Sequence, residues 1–408
     1  MQEYAINRTG VVYKNMKDPS ILKYIAKMNT ISMMNGTKIE GSSPPDIFVG
    51  RFGYPKVFIG PMVPPVFGDT MLLGTPEKWV GKSIEDIIRF RSTLVRGMAK
   101  VDVKDVLGGK IQYMVEELAL ADKYVDSSIT LTRKPMLNLT LDDNSQPYGP
   151  SAGMKEMELQ GNIYPNRKIE KAHSDTSMNA SQAAVELYKG GIPVSKIQKA
   201  FSSGLLGTGK RRRFVPTRWS ITAVDDTLGK ENLAMVKTYE PIDSYMVFET
   251  YSLDNRWLVL FAPGAWSYEL VEAWYPNTTW NMGSKSIDIG SSYEFFDGRK
   301  TYAEIGGCYY AARLAVSELL DRMKKQATVT ILREVHEGYT LPVGVWNVRE
   351  HVRAALRSQA KEFATLNDAL AYMMAKLEIR LPTWIDNSAI LRYLMRQRRL
   401  VAESKAVL

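Results

Sequence analysis

The stretch from Gly204 to Gly229, GLLGTGKRRRFVPTRWSITAVDDTLG, concentrates residue types that handle phosphate and metal. Four consecutive cations, Lys210, Arg211, Arg212 and Arg213, stand a few residues ahead of Arg218-Trp219-Ser220, and two adjacent carboxylates, Asp225 and Asp226, follow. Guanidinium groups offer phosphate a planar, two-pronged set of donors. The aspartates offer the oxygen ligands that magnesium takes in phosphodiester chemistry, so they are the candidate catalytic pair. Gly204 to Lys210 also spells G-x-x-x-x-G-K, the nucleotide phosphate loop. Arg211 stands where its magnesium-binding Ser or Thr belongs, however, and a helical pattern precedes it, so that reading is set aside.

Further candidate phosphate contacts lie outside this stretch. In GSSPPDIFVGRFGYPKVFIGP, Asp46–Val49 and Lys56–Ile59 read as short strands with a turn over Arg51–Pro55, a hairpin that offers Arg51 and Lys56 to a ligand. Ser83 opens a helix whose apolar positions Ile84, Ile87, Ile88, Leu94 and Val95 surround Arg91. A buried arginine must meet a carboxylate, carbonyls or an anion; an internal carboxylate comes first and a ligand phosphate second. Near the C-terminus Trp346, Arg349, Glu350, Arg353 and Arg357 share one helical stripe, a phosphate-binding face unless Glu350 neutralises its neighbours. Arg392, Arg396 and Arg399 form a similar row.

The elements that must position these residues read as follows. After the turn at Val215-Pro216 a strand is expected from Trp219 to Val224, which puts Trp219 in the core, Arg218 outward, and at most one of Asp225 and Asp226 toward a given site. A helix around Ala180–Tyr188, the turn Gly190-Gly191 and a short helix over Ser195–Ser203 bearing Lys196 and Lys199 have the outline of a helix-turn-helix reader. Residues 142–178, rich in Asp, Asn, Ser, Gly and Pro, read as loop. Tyr245–Trp274 reads as an antiparallel meander whose aromatics are core or base-stacking groups. A short helix around Pro19–Met28, a long one from Tyr302 to Gln326, a strand over Ala327–Val335 and capped helices beyond Thr365 complete the pattern.

The class is α+β: a mixed, largely antiparallel sheet with packed helices in an N-terminal domain over 35–285, then a smaller, mostly helical domain over 290–408. Residues 1–34 give weak signals, and the Gly-, Ser- and Asn-rich stretch from Asn277 to Gly298 marks the boundary. A net charge of +9 over 408 residues favours polyanionic partners. One cysteine, Cys308, excludes a disulfide framework and makes a structural zinc site unexpected. No apolar run is long enough to span a bilayer and the N-terminus lacks a signal-peptide pattern, so a cytoplasmic protein without a membrane partner is expected.

Read in order, GSSPPDIFVGRFGYPKVFIGP, IEDIIRFRSTLVRG, VPTRWSITAVDD and LPVGVWNVREHVRAAL resemble the Nre family of archaeal proteins associated with DNA repair, over about residues 35–360. The resemblance implies a DNA-repair role with DNA as partner and no settled reaction. Some family members look like clients of the replication sliding clamp through a C-terminal motif with paired aromatics. Here Gln397 and Leu400 are present, but Glu403 and Ser404 replace the aromatics, so the clamp is not expected as a partner. The leading function is DNA binding in repair through the arginine-rich segments. The alternative is an enzyme acting on a nucleotide or small phosphorylated substrate, with Arg91, Arg218 and Arg349 as clamps around a closed pocket; a helix-turn-helix regulator comes third.

Overall fold

Alternation of buried and exposed residues builds the first sheet. The computed structural model describes residues 36–136, 142, 144–281 and 283–396. Six strands, β1 (Lys38–Ser43), β2 (Ile47–Val49), β3 (Lys56–Val63), β4 (Val95–Asp102), β5 (Val125–Leu131) and β6 (Ser151–Gln160), lie in the order β1-β5-β6-β4-β3-β2. Only the β4·β6 pairing is parallel. Along β3, Val57 and Ile59 are buried while Lys56 and Phe58 are exposed, and from Gly60 onward every residue is buried as the strand runs into the centre of the sheet. Gly60 is required there, because a Cβ would lie 1.8 Å from the Gly97 carbonyl oxygen of β4.

Helices of this unit are α1 (Ile84–Thr93), α2 (Lys110–Leu120), α3 (Arg167–Ser174), α4 (Ala180–Lys189), α5 (Val194–Ser202) and the start of α6 (Thr217–Val236). The Ser83 hydroxyl accepts the Asp86 N–H and starts α1, which buries Ile84, Ile87, Ile88 and Arg91 as its periodicity requires. Two expectations fail. Residues 142–178 are not loop throughout, since they hold β6, with Ala152 and Met154 buried in alternation and Met157 buried beyond a register shift, and α3, capped by Asn166. The segment expected as a strand over Trp219–Val224 is the first part of α6. Its β-branched residues favour strand locally, but Ile221, Val224 and Leu228 are buried at three- and four-residue spacing. The Pro216 carbonyl accepts the Trp219 and Ser220 N–H groups and closes the first turn.

The described residues up to Leu228, with Pro342–Trp346, form one compact unit, and Gly229–Leu341 with the residues from Asn347 onward form another. The second unit has its own six-stranded sheet, order β10-β9-β11-β8-β7-β12, from β7 (Tyr245–Ser252), β8 (Asn255–Ala262), β9 (Ser267–Trp274), β10 (Asp288–Glu294), β11 (Thr328–Val335) and β12 (Lys361–Phe363). The stretch Asn277–Gly298 lies within it, joining β9 to β10 and including β10. The expected meander holds for β7·β8 but not for β8 and β9, because β11 inserts between them, antiparallel to β8 and parallel to β9. Every residue of β11 is buried, which suits a central strand covered on both faces. Helices α7 (Gly307–Met323), α8 (Trp346–Arg357), α9 (Leu366–Met374) and α10 (Leu381–Asn387) follow. Buried carboxylates of the sheet receive backbone N–H groups near the C-terminal end: Glu334 from Glu378 and Ile379, Glu269 from Ala389 and Ile390. The expected helix at Pro19–Met28, the degenerate clamp motif and Arg399 fall outside the described residues.

Candidate nucleic-acid interface

The β2–β3 hairpin is built as expected and is closed by tight backbone bonds. Gly50 N–H donates to Phe58 O at 2.7 Å and Lys56 N–H to Gly53 O at 2.9 Å. Gly53 has φ +84°, and a Cβ there would lie 2.8 Å from Lys56 O, so this turn needs glycine. The turn presents Arg51, Phe52, Tyr54 and Lys56 to solvent, with the Arg51 guanidinium 4.8 Å from the centre of the Phe52 ring. Phe58 and Lys100 sit opposite each other on β3 and β4, both exposed.

Three hydrogen bonds bring the central stretch to this hairpin. Val49 N–H donates to Thr217 Oγ1 at 3.0 Å, Val103 N–H to Pro55 O at 2.9 Å, and Phe214 N–H to Val103 O at 2.8 Å. The start of α6 and the end of β4 therefore flank the hairpin turn, and the Lys210–Phe214 segment reaches them at its Phe214 end while Gly209, just before it, donates to Thr176 O. Trp219, expected in the core, is 45% exposed and packs on Tyr54, ring centres 5.3 Å apart at 53°. Once the segment is helical, residue 219 follows the solvent face instead of an alternating pleat.

The candidate cations divide sharply. Lys210, Arg211 and Arg213 are exposed, and Arg51 is half-exposed beside exposed Lys56. Arg212 turns inward instead, donating through Nε to Gly207 O at 2.9 Å and through its other nitrogens to the His173 carbonyl and ring. His173 Nε2 lies 2.9 Å from Glu116 Oε1, and that hydrogen bond raises the imidazole pKa above its ordinary value against the effect of burial. Arg218 is not open to a ligand either, since it pairs with Asp142 at 2.8 Å. Arg91 is buried against Asp46 at 2.7 Å, the internal carboxylate its position called for. Arg349 is buried beside Glu350, and Arg353 is gripped by Glu318 at 2.5 Å and Glu350 at 2.8 Å. Arg349 and Arg353 are thus neutralised by carboxylates within their own unit, which leaves exposed Arg357 alone of the three arginines in the α8 stripe open to solvent.

The carboxylate pair is likewise separated by the helix. Asp225 is 0% exposed and accepts from Gln198 Nε2 at 3.0 Å, while Asp226 is half-buried on the next position around α6. Among the described residues no three His, Cys, Asp or Glu side chains gather into a metal-holding group. A catalytic role for Asp225 is therefore at odds with its burial.

The helix-turn-helix outline fails for a similar reason. Helix α5 buries Val194, Ser195, Ile197, Gln198 and Ala200, and its cations point inward. Lys196 donates to Ala121 O, and burial pulls its pKa down to about 8. Lys199 donates to Gly74 O at 2.5 Å and faces Asp46 at 3.4 Å. No recognition surface is left on it.

Sequence reasoning missed the buried cations Arg96, Arg313 and Arg333, of which Arg96 lies in the first unit. Arg96 of β4 lies between the rings of Phe48 and Tyr148, 4.8 and 4.6 Å from their centres, with one long bond to Gly149 O and an unpartnered Nε. Burial lowers its pKa to about 10. Its place in VRGMAKVD, a strand of mixed polarity, gave no signal.

Among the described residues no helix is long and apolar enough to cross a membrane. No solved structure matches the chain. The family model for the N-terminal part of archaeal Nre matches residues 16–281, and that for the C-terminal part matches 294–402. The chain is 42% identical over 354 residues to the DNA repair protein NreB of Archaeoglobus fulgidus, covering 87% of this chain and 89% of that one. It is 37% identical to DNA repair protein NreA of the same organism, over 84% and 86% of the two chains, and 35% identical to NreA of Haloferax volcanii, over 85% of each. With both family models matched and such identity across most of each relative, the chain belongs to the archaeal Nre family.

Proposed function

We propose that the protein serves DNA repair, the role its relatives are named for, and that it does so by binding DNA through the surface around the β2–β3 hairpin and the Lys210–Arg213 segment. The observation that carries this reading is the division among the cations. Arg51, Lys56, Lys100, Lys104, Lys210, Arg211 and Arg213 remain solvent-accessible on the hairpin and on the segments linked to it, with Asp102, Asp105 and Asp175 among the neighbouring carboxylates. The cations that would have clamped a small phosphorylated substrate, Arg91, Arg218 and Arg349, are each held by a carboxylate, which counts against a closed nucleotide pocket. Phosphate neutralisation by exposed cations releases counterions, so affinity must fall with salt.

Replacing Lys210, Arg211 and Arg213 together with alanine should flatten the log–log salt dependence of DNA binding by about 2 to 3 units if each meets one phosphate. Arg212 is left intact because it holds His173. A slope equal to that of the unaltered protein would remove this segment from the DNA surface.

A further inference from the structure

The exposed aromatics are not needed for binding an intact duplex. A duplex shows a protein its phosphates and groove edges, while the faces of its bases are covered by stacking. Yet Phe52 is 62% exposed, Tyr54 47% and Trp219 45%, all set among the free cations. Rings of this size are ordinarily placed where they bury area, and a cluster of them in solvent marks an interaction surface.

Resting on the nucleic-acid reading above, we propose that this surface takes unpaired nucleotides, with bases stacking on Trp219, Tyr54 and Phe52 while the backbone follows Arg51, Lys56 and the Lys210–Arg213 segment. The Trp219 and Tyr54 rings are inclined at 53° to one another, so their open faces look in different directions. That suits bases splayed out of a stack and not the parallel pile of a duplex. Arg51 covers one face of Phe52 and leaves the other to a base. The platform is organised before binding: Gly53 fixes the turn, and the Val49–Thr217 hydrogen bond ties the hairpin to the helix that carries Trp219. Charge complementarity selects nucleic acid over an apolar protein partner, because the rings are ringed by lysine and arginine. Single-stranded DNA, or duplex opened at a lesion, is the substrate class this arrangement fits.

The test is an anisotropy titration of the full chain with one labelled DNA sequence as a single strand, as a perfect duplex, and as a duplex containing an unpaired loop. Single-stranded and looped DNA should bind tighter than duplex and should quench Trp219 fluorescence. Tyr54→Leu and Trp219→Leu should each weaken single-strand binding by about 5- to 150-fold, the range for loss of one base–aromatic stack, and leave duplex binding unchanged. Trp219→Phe should restore much of the loss. Equal loss on duplex and single strand, or no loss on either, would overturn the stacking proposal while leaving the DNA-binding reading intact, provided the Lys210/Arg211/Arg213 variant still weakens binding. Absence of salt-sensitive binding to all three DNAs would instead overturn the DNA-binding reading itself.

Discussion

Asp46→Asn should be among the most damaging single substitutions in the first unit. Asp46 Oδ2 meets Arg91 Nη1 at 2.7 Å and Oδ1 faces Lys199 Nζ at 3.4 Å, with side-chain exposures of 7%, 2% and 15%. Burial pushes the Asp46 pKa up, but Lys199 and Arg91 together outweigh it and hold the carboxyl below its ordinary range. Removing the charge leaves two buried cations without their counterion in a region that already holds Arg96. Breaking a buried pair from one side costs about 3 to 5 kcal/mol, and two stranded partners place this case at the upper end. Arg91→Met is milder, because Asp46 keeps Lys199 and the methionine refills part of the arginine stem; about 1.5 to 3 kcal/mol is expected, the range for hydrogen bonds to a charged group. Urea unfolding followed by tryptophan fluorescence measures both, with buried Trp79 and Trp346 as reporters in this unit. The sign with pH follows from a depressed carboxyl pKa. Asp46 contributes stability above its unfolded pKa, and the contribution is lost as pH falls through the lower folded value. The gap between wild type and Asp46→Asn should therefore hold at neutral pH and close only in strong acid. Equal unfolding midpoints at pH 7, or a larger cost for Arg91→Met than for Asp46→Asn, would refute this account of the cluster.

Two further substitutions separate structure from function. Lys196→Met removes a buried ammonium whose pKa is already near 8, so stability should be unchanged or rise by about 1 to 2 kcal/mol and DNA affinity should not move; weakened DNA binding with intact stability would revive α5 as a recognition helix. His351 is buried on α8, donates from Nδ1 to Asn347 O, and has a pKa lowered to about 4 by burial, so stability is full above pH 6.5 and declines toward pH 4 as the unfolded chain takes up the proton. The decline due to this group should approach about 3 kcal/mol, and His351→Gln should flatten it; a variant as acid-sensitive as the wild type would assign the loss elsewhere.

Much of the fold could be read from local signals that the structure preserves. The β2–β3 hairpin, the Ser83 cap, the helix over Ala180–Tyr188 and the burial of Arg91 follow from turn residues, caps and period alone. The α6 segment misled because Ile221, Thr222 and Val224 favour strand over a short window, while the helical period shows only when Leu228 is included. Placement of β11 between β8 and β9 was illegible because it depends on a strand about sixty residues downstream, and no local pattern encodes that pairing. At the candidate interface the residue types were legible and their directions were not. Arg212 looks equivalent to Arg211 and Arg213 in sequence, yet only it reaches His173.

That difference has a physical rule behind it. An arginine on the apolar side of a helix or strand is carried into the protein by its neighbours and can stay there only with a counterion or carbonyls, as Arg91, Arg313 and Arg333 do. Their desolvation is compensated inside the protein, and a DNA phosphate would have to displace a carboxylate already in place. Cations on turns between glycines and prolines make no such commitment; Lys210, Arg211 and Arg213 follow Gly207 and Gly209 and precede Pro216, and Arg51 and Lys56 flank Gly53 and Pro55. Those residues keep their water, which a polyanion could replace without displacing an internal partner. In this chain the arginines set in regular apolar patterns are committed to carboxylates inside their own units, and the cations on irregular turns, Arg212 apart, stay open to solvent.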